Sequence, residues 1–492
     1  MIKRSGKLLF LFLSLTVPSV LFAQANFTPL EKGDYEIIEE KIFFNPGVQV
    51  GGSYRSYSTS KRDGLTGDES FSQIGQVIGI KIESKINTNI KVYALLQNKL
   101  SLVDNQEPGY SSDKAYEQKD STTDDGMAVV YQEAYLEYNH NPRAILKLGR
   151  HEITPGDRKG LIYKGVNTAI SQDCAMGTWC TYAGGARLGT HDALYWAQLD
   201  YPVFFNDIVI QDLWEGERQQ TSFNVELYRS IYLGEDTPLA NYGGAASVDS
   251  LYQVTEGGVP VYFNILKTEY EGFNINWNYY DLLFEFSYIS MHGQRNYHTG
   301  SQNDSYTVTS LNSSQDLTGK LIYIDFSYQF ADNWRFEYSF LSSTGNSVES
   351  PDDKFWESNS TAYLEIQKGS FGDALFYLNG IENMGEGHSV SNLIYSSYRL
   401  SYRDKAQFFS MDCNYYNFKR KESVFNESGN RVSEIGSELD ILLSWNVEKQ
   451  LVFQSYISLF RMGDAYAVND NITPGDNDKE AYQIGLNLEY NF

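Results

Sequence analysis

Residues 321–330 read LIYIDFSYQF, and every second side chain from Ile322 to Phe330 is apolar. Since successive side chains of a β-strand point to opposite faces, this pattern predicts a strand with one apolar and one polar face. Residues 334–340, WRFEYSF, repeat the pattern after a short joint at 331–333. The two segments therefore predict a β-hairpin.

The same two-residue period extends from about residue 41 to the end of the chain. It recurs near residues 74–83, 90–100, 129–139, 144–150, 361–367, 395–403, 438–445 and 450–460. Long segments rich in Asp, Asn, Ser and Gly lie at 101–125, 151–180, 234–258, 296–317, 345–358, 419–433 and 464–477. Short turns at one end and long loops at the other are typical of outer-membrane barrels. The sequence therefore predicts an all-β fold, a transmembrane antiparallel β-barrel with short periplasmic turns and long extracellular loops.

The length of the chain predicts the number of strands. A strand with its share of loop takes about 25 residues, and bacterial barrels use even numbers of strands. Residues 41–492 therefore predict about 18 strands, within a range of 16 to 20. A single β-sandwich of this length would exceed the usual size of one hydrophobic core, whereas a bilayer demands a closed barrel.

The N-terminus has the parts of a secretory signal peptide, a basic start followed by an apolar run and small residues. The basic residues are Lys3, Arg4 and Lys7, the apolar run is 8–17, and cleavage is expected after Ala23 or Ala25. The apolar run is shorter than the roughly 20 residues that a helical membrane span needs. The predicted domains are a signal peptide at 1–25, a short N-terminal periplasmic segment at 26–40 and an outer-membrane barrel at 41–492.

The last strand alternates Tyr482, Ile484, Leu486, Leu488 and Tyr490 and ends on Phe492. It is similar to the terminal strand that bacterial barrel-assembly machinery recognises. We therefore expect that machinery to be a partner, through the Phe492 strand, and the location to be the bacterial cell outer membrane.

The composition excludes one class of partner and favours another. The chain has 63 Asp and Glu against 39 Lys and Arg, a net charge of −24, which makes nucleic acid a poor partner. Aromatic residues make up 15% of the chain. A membrane barrel needs an apolar outer band with aromatic girdles, so lipid and lipopolysaccharide are the expected surroundings.

Three cysteines, Cys174, Cys180 and Cys413, allow at most one intramolecular disulfide. The close pair Cys174 and Cys180 is the disulfide candidate in an oxidising compartment, and two free thiols are the alternative. The segment CAMGTWC has no second Cys or His pair beside it and cannot close a zinc site. No metal and no cofactor are predicted.

The polar faces of the strands carry charges of both signs and are expected to line the lumen. The candidates for a pore lining or constriction are Lys91, Lys147, Arg150, Arg187, Arg335, Arg399, Arg403, Glu438 and Asp440. One interpretation is a basic constriction, because low-dielectric walls focus the field of one sign. The other is that opposite charges pair across neighbouring strands and stiffen the wall. Aromatic residues on the same face form either a track for sugar rings or lumen filling, and they are Tyr93, Tyr131, Tyr135, Tyr323 and Tyr363.

Two regions resemble the alginate export family of outer-membrane barrels. The first is LKLGRHEITPGDR at 146–158, followed by GGARL at 184–188, and the second is residues 435–466, which open on GSELD and close on FRMGD. The matching positions are Gly149, Arg150, Gly156, Asp157, Arg158, Gly185, Arg187, Leu188, Gly436, Glu438, Asp440, Phe460, Gly463 and Asp464. Gly184 stands where the family often has Asp.

The resemblance implies an 18-stranded porin-like barrel whose best-known relatives export an anionic polysaccharide through an arginine-rich constriction. The guanidinium groups of Arg150 and Arg187 suit a carboxylate or sulfate, or else they anchor a loop or pair with Asp157. The expected function is an outer-membrane channel for saccharides or anionic solutes. The alternatives are a general diffusion porin and a surface adhesin or receptor whose loops carry the function.

The sequence contains no serine elbow, P-loop or dinucleotide turn, and an enzyme is not expected. The remaining enzymatic hypothesis places His151 or His191 near Asp157 or Asp192 at the barrel rim. The acidic loop at 468–478 is interpreted as a solvated surface, with a calcium site as the alternative.

Overall fold

The structure is a computed structural model of the chain. It describes residues 49–59, 71–104, 129–141, 144–156, 159–176, 179–188, 192–209, 218–234, 255–256, 259–301, 307–346, 361–364, 366, 374, 390–425, 429–448, 451–465 and 480–491. The predicted signal peptide, the segment 26–40, the loop 468–478 and Phe492 lie outside the described residues.

The described residues form nineteen β-strands. In chain order they are β1 Gln49–Thr59, β2 Phe71–Lys85, β3 Ile90–Asp104, β4 Val129–Asn141, β5 Ala144–Ile153, β6 Gly165–Met176, β7 Trp179–Arg187, β8 Ala193–Val209, β9 Arg218–Leu233, β10 Thr255–Glu256, β11 Val259–Tyr279, β12 Leu282–Ser301, β13 Thr307–Ala331, β14 Trp334–Ser343, β15 Leu393–Arg403, β16 Phe409–Phe425, β17 Arg431–Glu448, β18 Leu451–Met462 and β19 Glu480–Asn491. Among the residues described, no helix is long and apolar enough to cross a bilayer.

The strands close into one ring. Each pairs antiparallel with the next along the chain, except that β9 pairs with β11 and the two-residue β10 pairs only with β11 among the described strands. The ring closes where Gly51 of β1 pairs with Asn491 of β19. Without β10 the ring has eighteen strands, and the predicted barrel is confirmed.

The two ends of the barrel differ in the length of their connections. At one end, the turns at 86–89, 280–281, 332–333 and 404–408 join neighbouring strands directly. The opposite end carries the long connections, such as the one between β14 and β15. This asymmetry confirms the predicted short periplasmic turns and long extracellular loops.

Alternate side chains of β13 face opposite sides of the wall, as the alternation in residues 321–330 predicts. Ile322 and Phe330 are 37% and 50% exposed, whereas Leu321, Tyr323 and Ser327 are buried. In a closed barrel, the exposed stripe is the outer face and the buried stripe is the inner face. An apolar outer face on a closed ring is the surface that acyl chains cover.

Aromatic rings form a continuous belt on the outer wall near the short turns. Neighbouring ring centroids lie 4.9 to 6.2 Å apart along the series Trp334, Tyr402, Phe409, Trp445 and Phe453. The series crosses five adjacent strands, β14 to β18. It is a girdle of the kind that membrane barrels place at a lipid interface.

Several predicted loops and one predicted strand differ from the structure. Segment 151–180 contains β6, and most of 296–317 belongs to β12 and β13. β6 belongs to the same wall as β5, because the two strands pair from Ala144 and Cys174 to Ile153 and Gly165. The 296–317 parts of β12 and β13 extend that pair of strands toward the long-connection end. Residues 361–364 and 366 of the predicted strand 361–367 do not form a strand.

Candidate functional site

Two loop segments fold back into the barrel. One follows β5 and the other follows β14, and we call their residues 159–163, 361–364 and 366 the inner body. Leu161, Ile162 and Tyr363 are fully buried. The hydroxyl of Tyr363 donates to the carbonyl oxygen of Leu161 at 2.8 Å, and the amide of Ile366 donates to the carbonyl oxygen of Ile162 at 2.9 Å. The two segments therefore form one packed unit.

The inner body is held against the inner wall of β11 to β13. The hydroxyl of Tyr270 donates to the carbonyl oxygen of Leu364 at 2.7 Å, and the amide of Leu364 lies 3.4 Å from the sulfur of Met291. Gly319 provides the space, because a Cβ atom there would lie 2.6 Å from the Cα atom of Tyr363. This close approach fixes the inner body on one side of the lumen.

Replacing Gly319 with valine is expected to displace the inner body. The added side chain would meet backbone atoms, which cannot swing aside, and such overpacking costs about 1–3 kcal/mol. We expect a lower free energy of unfolding and a larger conductance in a planar bilayer. Gly185→Val is the matched control, since its Cβ would lie 3.1 Å from the ring of Tyr195 on the outer face and no closer than 3.8 Å to the carbonyl oxygen of Leu194. Equal conductance of Gly319→Val and wild type would contradict the inference that the inner body narrows the lumen.

Lys159 joins the inner body to the wall electrostatically. Its Nζ atom lies 2.8 Å from Oε2 of Glu285 and 3.7 Å from Oδ2 of Asp325. It also lies 4.6 Å from the ring centroid of Tyr323. One ammonium group therefore lies between two carboxylates of neighbouring strands. Lys159 and Glu285 were absent from the sequence-based candidates.

Arg335 and Arg399 share one carboxylate on the inner wall. Nε of Arg335 lies 2.8 Å from Oε1 of Glu337, and Nη1 of Arg399 lies 3.2 Å from Oε2 of the same residue. Nε of Arg399 also donates to the side-chain oxygen of Asn414 at 2.8 Å, and Arg335 donates to Ser327 at 2.8 Å. Two predicted site residues are thus brought together around a third charge.

Glu438 and Asp440 extend this polar wall. Both are buried on β17, and Ser458 donates to Oε1 of Glu438 at 3.0 Å. Asp440 lies opposite Asn414 in the register of β16 and β17. The acidic candidates therefore belong to the same face as the paired arginines, and a role in the passage stays a prediction.

Lys91 and Lys147 lie on a separate part of the wall, on either side of Glu137. Lys91 Nζ lies 3.4 Å from Oε1 of Glu137, and Lys147 lies opposite Glu137 in the register of β4 and β5. Lys147 Nζ also lies 5.2 Å from the ring centroid of Tyr135. Lys91 and Glu137 therefore form an ion pair across neighbouring strands, which is the alternative to a basic constriction.

The remaining candidates are dispersed. Arg403 is exposed near the short turns. Tyr93 stacks on Tyr135 with ring centroids 4.9 Å apart, whereas Tyr323 and Tyr363 are buried. The side chain of Tyr131 lies outside the described part of the structure, and a sugar track along these tyrosines stays a prediction.

Arg150 and Arg187 lie on the outer face, which corrects their expected place in the lumen. Arg150 is two residues beyond Leu148, and Arg187 is two residues beyond Gly185, next to the outward Tyr195. Ala186, by contrast, is buried on the inner face. Strand alternation therefore puts Arg187 on the outer face, opposite Ala193 of β8.

Cys174 and Cys180 are free, which corrects the predicted disulfide. In the register of β6 and β7, Cys174 pairs with Thr181 and Cys180 pairs with Ala175. The two cysteines are therefore one position out of step and point to opposite faces. A disulfide needs Cβ atoms that face each other.

His151 has a structural environment. One ring nitrogen lies 2.8 Å from Oγ of Ser171 and the other lies 3.1 Å from the carbonyl oxygen of Gly149, with the ring packed edge-on against Tyr135. Both His151 and Ser171 are buried. His191 and Asp157 lie outside the described residues.

A closed antiparallel ring with an apolar outer wall, an aromatic girdle and a charged inner wall defines a transmembrane β-barrel of the outer-membrane type. No protein-family model matches the chain, and no curated protein matches its sequence significantly. Similarity to known proteins is therefore seen in the comparison with solved structures.

Three solved structures show the same fold. OccK9 (OpdG) of Pseudomonas aeruginosa has a TM-score of 0.51 at 9% identity, over 90% of this chain and 97% of that one. A BenF-like porin from Pseudomonas fluorescens has a TM-score of 0.51 at 9% identity, over 91% and 99%. OccK8 (OprE) of Pseudomonas aeruginosa has a TM-score of 0.50 at 10% identity, over 90% and 97%. The fold is that of outer-membrane porins, and none of these three is described as an alginate exporter.

Proposed function

We propose that the chain forms a narrowed outer-membrane channel for small saccharides or anionic solutes. A closed ring with a charged inner wall provides a passage that water and polar solutes can enter. The inner body occupies one side of that passage, which favours small solutes over a folded or branched polymer.

The arrangement of Arg335, Arg399 and Glu337 carries the proposal. Two guanidinium groups contact one carboxylate, and the arginine side chains remain 46% and 29% exposed. A guanidinium group offers a planar fork of donors that matches a carboxylate or sulfate. A solute that carries such a group can compete with Glu337 for these donors as it passes.

The resemblance to the alginate export family extends the proposal to uronates. The motif arginines Arg150 and Arg187 lie on the outer face, so we assign recognition of a uronate carboxylate to Arg335 and Arg399 instead. A uronate combines a sugar ring with a carboxylate, and both belong to the proposed solute class.

A general diffusion porin is the second candidate, and the mixed charges of the inner wall favour it. Glu285, Asp325 and Glu337 lie on the same inner wall as Arg335, and Lys159 of the inner body contacts Glu285 and Asp325. A wall with both signs does not strongly exclude either ion type. Such a channel would pass neutral and charged sugars according to size alone.

Single-channel recording with matched sugars tests the proposal. We expect a steady conductance that galacturonate interrupts in a concentration-dependent way and that galactose of nearly the same size does not. The physical reason is the carboxylate, which only galacturonate presents to Arg335 and Arg399. Equal effects of both sugars would favour general diffusion, and a barrel that conducts no ions would favour an adhesin or receptor.

A further inference from the structure

Arg420 is a buried arginine on the inner face of β16, near the long-connection end of that strand. It is only 9% exposed, and Phe418, two residues earlier on the same face, is fully buried. The Nε atom of Arg420 has no hydrogen-bond partner, and no ion pair joins this residue to another residue that the structure describes. A buried charge without a counter-ion is strongly unfavourable. This environment therefore favours the binding of an anion.

The strand departs from regular pairing at the same residue. In the register of β16 and β17, Lys419 pairs with Glu434, and the next pair joins Val424 to Val432. The four residues between Lys419 and Val424, which begin with Arg420, therefore bulge away from β17. Bulges redirect side chains and are over-represented next to functional sites.

Asn392, directly before β15, fastens the bulge from the other side. Its side-chain oxygen accepts from the amide of Glu422 at 2.6 Å, and its side-chain nitrogen donates to the carbonyl oxygen of Glu422 at 3.1 Å. The amide of Lys421 donates to the carbonyl oxygen of Asn392 at 3.1 Å. Asn392 has a φ of +52°, a backbone conformation that is uncommon outside glycine and costs energy. These contacts fix the backbone next to Arg420 and so preorganise its guanidinium group.

The charged neighbours of Arg420 on β16 have different exposures. Lys419 and Lys421 are exposed, whereas Arg420 between them is buried, so both lysines point away from it. Glu422 follows two residues later and is half-buried. An anion at Arg420 must therefore compete with the field of one nearby carboxylate. A guanidinium group can do this because it presents two parallel donors to two oxygens of one anion.

A layer of aromatic side chains separates Arg420 from the polar wall nearer the short turns. Tyr416 and Phe418 lie between Asn414 and Arg420 on the inner face of β16, and both rings are fully buried. Their centroids are 6.0 Å apart, and the ring of Tyr395 on β15 lies 5.8 Å from that of Phe418. The inner wall is therefore covered at this level, and Arg420 lies apart from the proposed solute site around Asn414.

We propose that Arg420 binds a small inorganic oxyanion, phosphate or sulfate, as a resident ligand of the barrel. The low exposure of Arg420 admits a small ion and excludes a polysaccharide. The ion neutralises the buried guanidinium group and stabilises the wall where β16 bulges. The inference rests on the burial of Arg420 and on the bulge, and it does not require the barrel to transport any solute.

Equilibrium dialysis of the purified full-length barrel in neutral detergent, with labelled inorganic phosphate at constant ionic strength, measures this binding. We expect one phosphate per chain, displaced by sulfate and not by chloride, because a single spherical ion cannot engage both donors of the fork. Arg420→Met should weaken phosphate binding by at least about tenfold, since the charge-assisted hydrogen bonds are lost.

Urea unfolding of wild type and Arg420→Met, with and without phosphate, gives a second readout. Phosphate and sulfate stabilise many proteins by exclusion from their surface, so the comparison between the two chains is what counts. Without phosphate, Arg420→Met should be at least as stable as wild type, because it removes an uncompensated buried charge. With saturating phosphate it should be less stable, because only wild type binds the ion. An arginine with a packing role alone would lower the stability equally in both conditions.

Three further variants separate the fork from general electrostatics. Lys421→Met is the matched control, because it removes an exposed cation next to Arg420 and should leave phosphate binding unchanged. Arg420→Lys should bind phosphate more weakly than wild type and more tightly than Arg420→Met, since it keeps the charge and loses the fork. Glu422→Gln should bind phosphate more tightly than wild type, because it removes the nearby carboxylate.

Several outcomes would overturn the proposal. They are an absence of phosphate binding to wild type, equal binding by Arg420→Met, displacement by chloride as effective as that by sulfate, and an equal loss in Lys421→Met. Unchanged block by galacturonate in Arg420→Met would support a site apart from the passage. Loss of that block would place Arg420 in the passage and contradict a resident ion.

Discussion

Replacing Lys159 with methionine is expected to destabilise the barrel by about 3 kcal/mol, the lower end of the range for removing one partner of a buried ion pair. The Lys159 side chain is 24% exposed, so solvent reduces the effect but does not remove it. Glu285 and Asp325 would remain close together on neighbouring strands without a counter-ion. The repulsion between these two carboxylates, together with the lost link to the inner body, explains the expected loss in free energy of unfolding.

Urea unfolding in detergent micelles or lipid vesicles measures this loss. A double-mutant cycle with Lys159→Met, Glu285→Gln and the double variant measures the interaction energy between the two side chains, because the double variant removes both charges. We expect the double variant to recover part of the stability lost by Lys159→Met. A further expectation is a higher conductance for Lys159→Met, since the inner body loses its electrostatic attachment.

The turn pair Lys405 and Asp332 provides the matched control. Its Nζ to Oδ2 distance of 2.6 Å is similar to that of Lys159 and Glu285, but the side chains are 71% and 77% exposed. The hydrogen bond from Lys405 lowers the pKa of Asp332 below its usual value. Exposed pairs contribute little, so Lys405→Met should leave unfolding unchanged. If Lys159→Met behaved in the same way, the lysine would not anchor the inner body.

The outer wall could be predicted from the sequence because one physical rule governs it. Lipid requires an apolar side chain at every outward position within its thickness, so stretches such as 321–330 alternate strictly. Closure of the barrel and the number of strands follow from the same repeat and from the length. The alternation of β5 puts Leu148 and Arg150 on the same outer face, where Arg150 marks a departure from this apolar pattern.

The inner body could not be predicted from the two-residue period. Residues 361–367 alternate like a strand, yet Tyr363 and Leu364 pack inside the barrel because wall and loop both bury apolar groups there. One signal is present in the sequence, namely the apolar run 161–163 within the segment 151–180 that the composition predicts to be a loop. A solvated loop has no reason to carry Leu161 and Ile162 together, and such a run indicates a loop that folds inward.

The pairing register of neighbouring strands determines two features that spacing in the sequence could not predict, the separation of the two thiols and the direction of Arg187. The separation of Cys174 and Cys180 fits a short turn, but the pairing of Cys174 with Thr181 puts the two thiols on opposite faces. Similarly, the pairing of Gly185 with the exposed Tyr195 puts Arg187, two residues further along β7, on the outer face. Both facts depend on how neighbouring strands pair, and that is a property of tertiary packing.

Replacing both Arg335 and Arg399 with glutamine is expected to make the channel strongly selective for cations. The inner wall would keep Glu337 without the two arginines that contact it, and it would also keep the buried Glu438 and Asp440. A unit charge at about 4 Å contributes about 1 kcal/mol in water and about 4 kcal/mol at an effective dielectric constant near 20. Since about 1.4 kcal/mol corresponds to a factor of ten, the cation-to-anion permeability ratio should rise by at least about tenfold.

The reversal potential across a salt gradient in planar bilayers measures that ratio, and Glu337→Gln supplies the opposite test. Removing the shared carboxylate leaves both guanidinium groups available to anions, so the ratio should fall and block by galacturonate should strengthen. Arg403→Gln, which changes an arginine near the short turns, should have a small effect. All of these shifts should decrease as salt is raised, because ions screen exposed charges. A change of the same sign in Glu337→Gln and in the double arginine variant would mean that these side chains act by holding the wall in shape, because charges that face the solute must act in opposite directions.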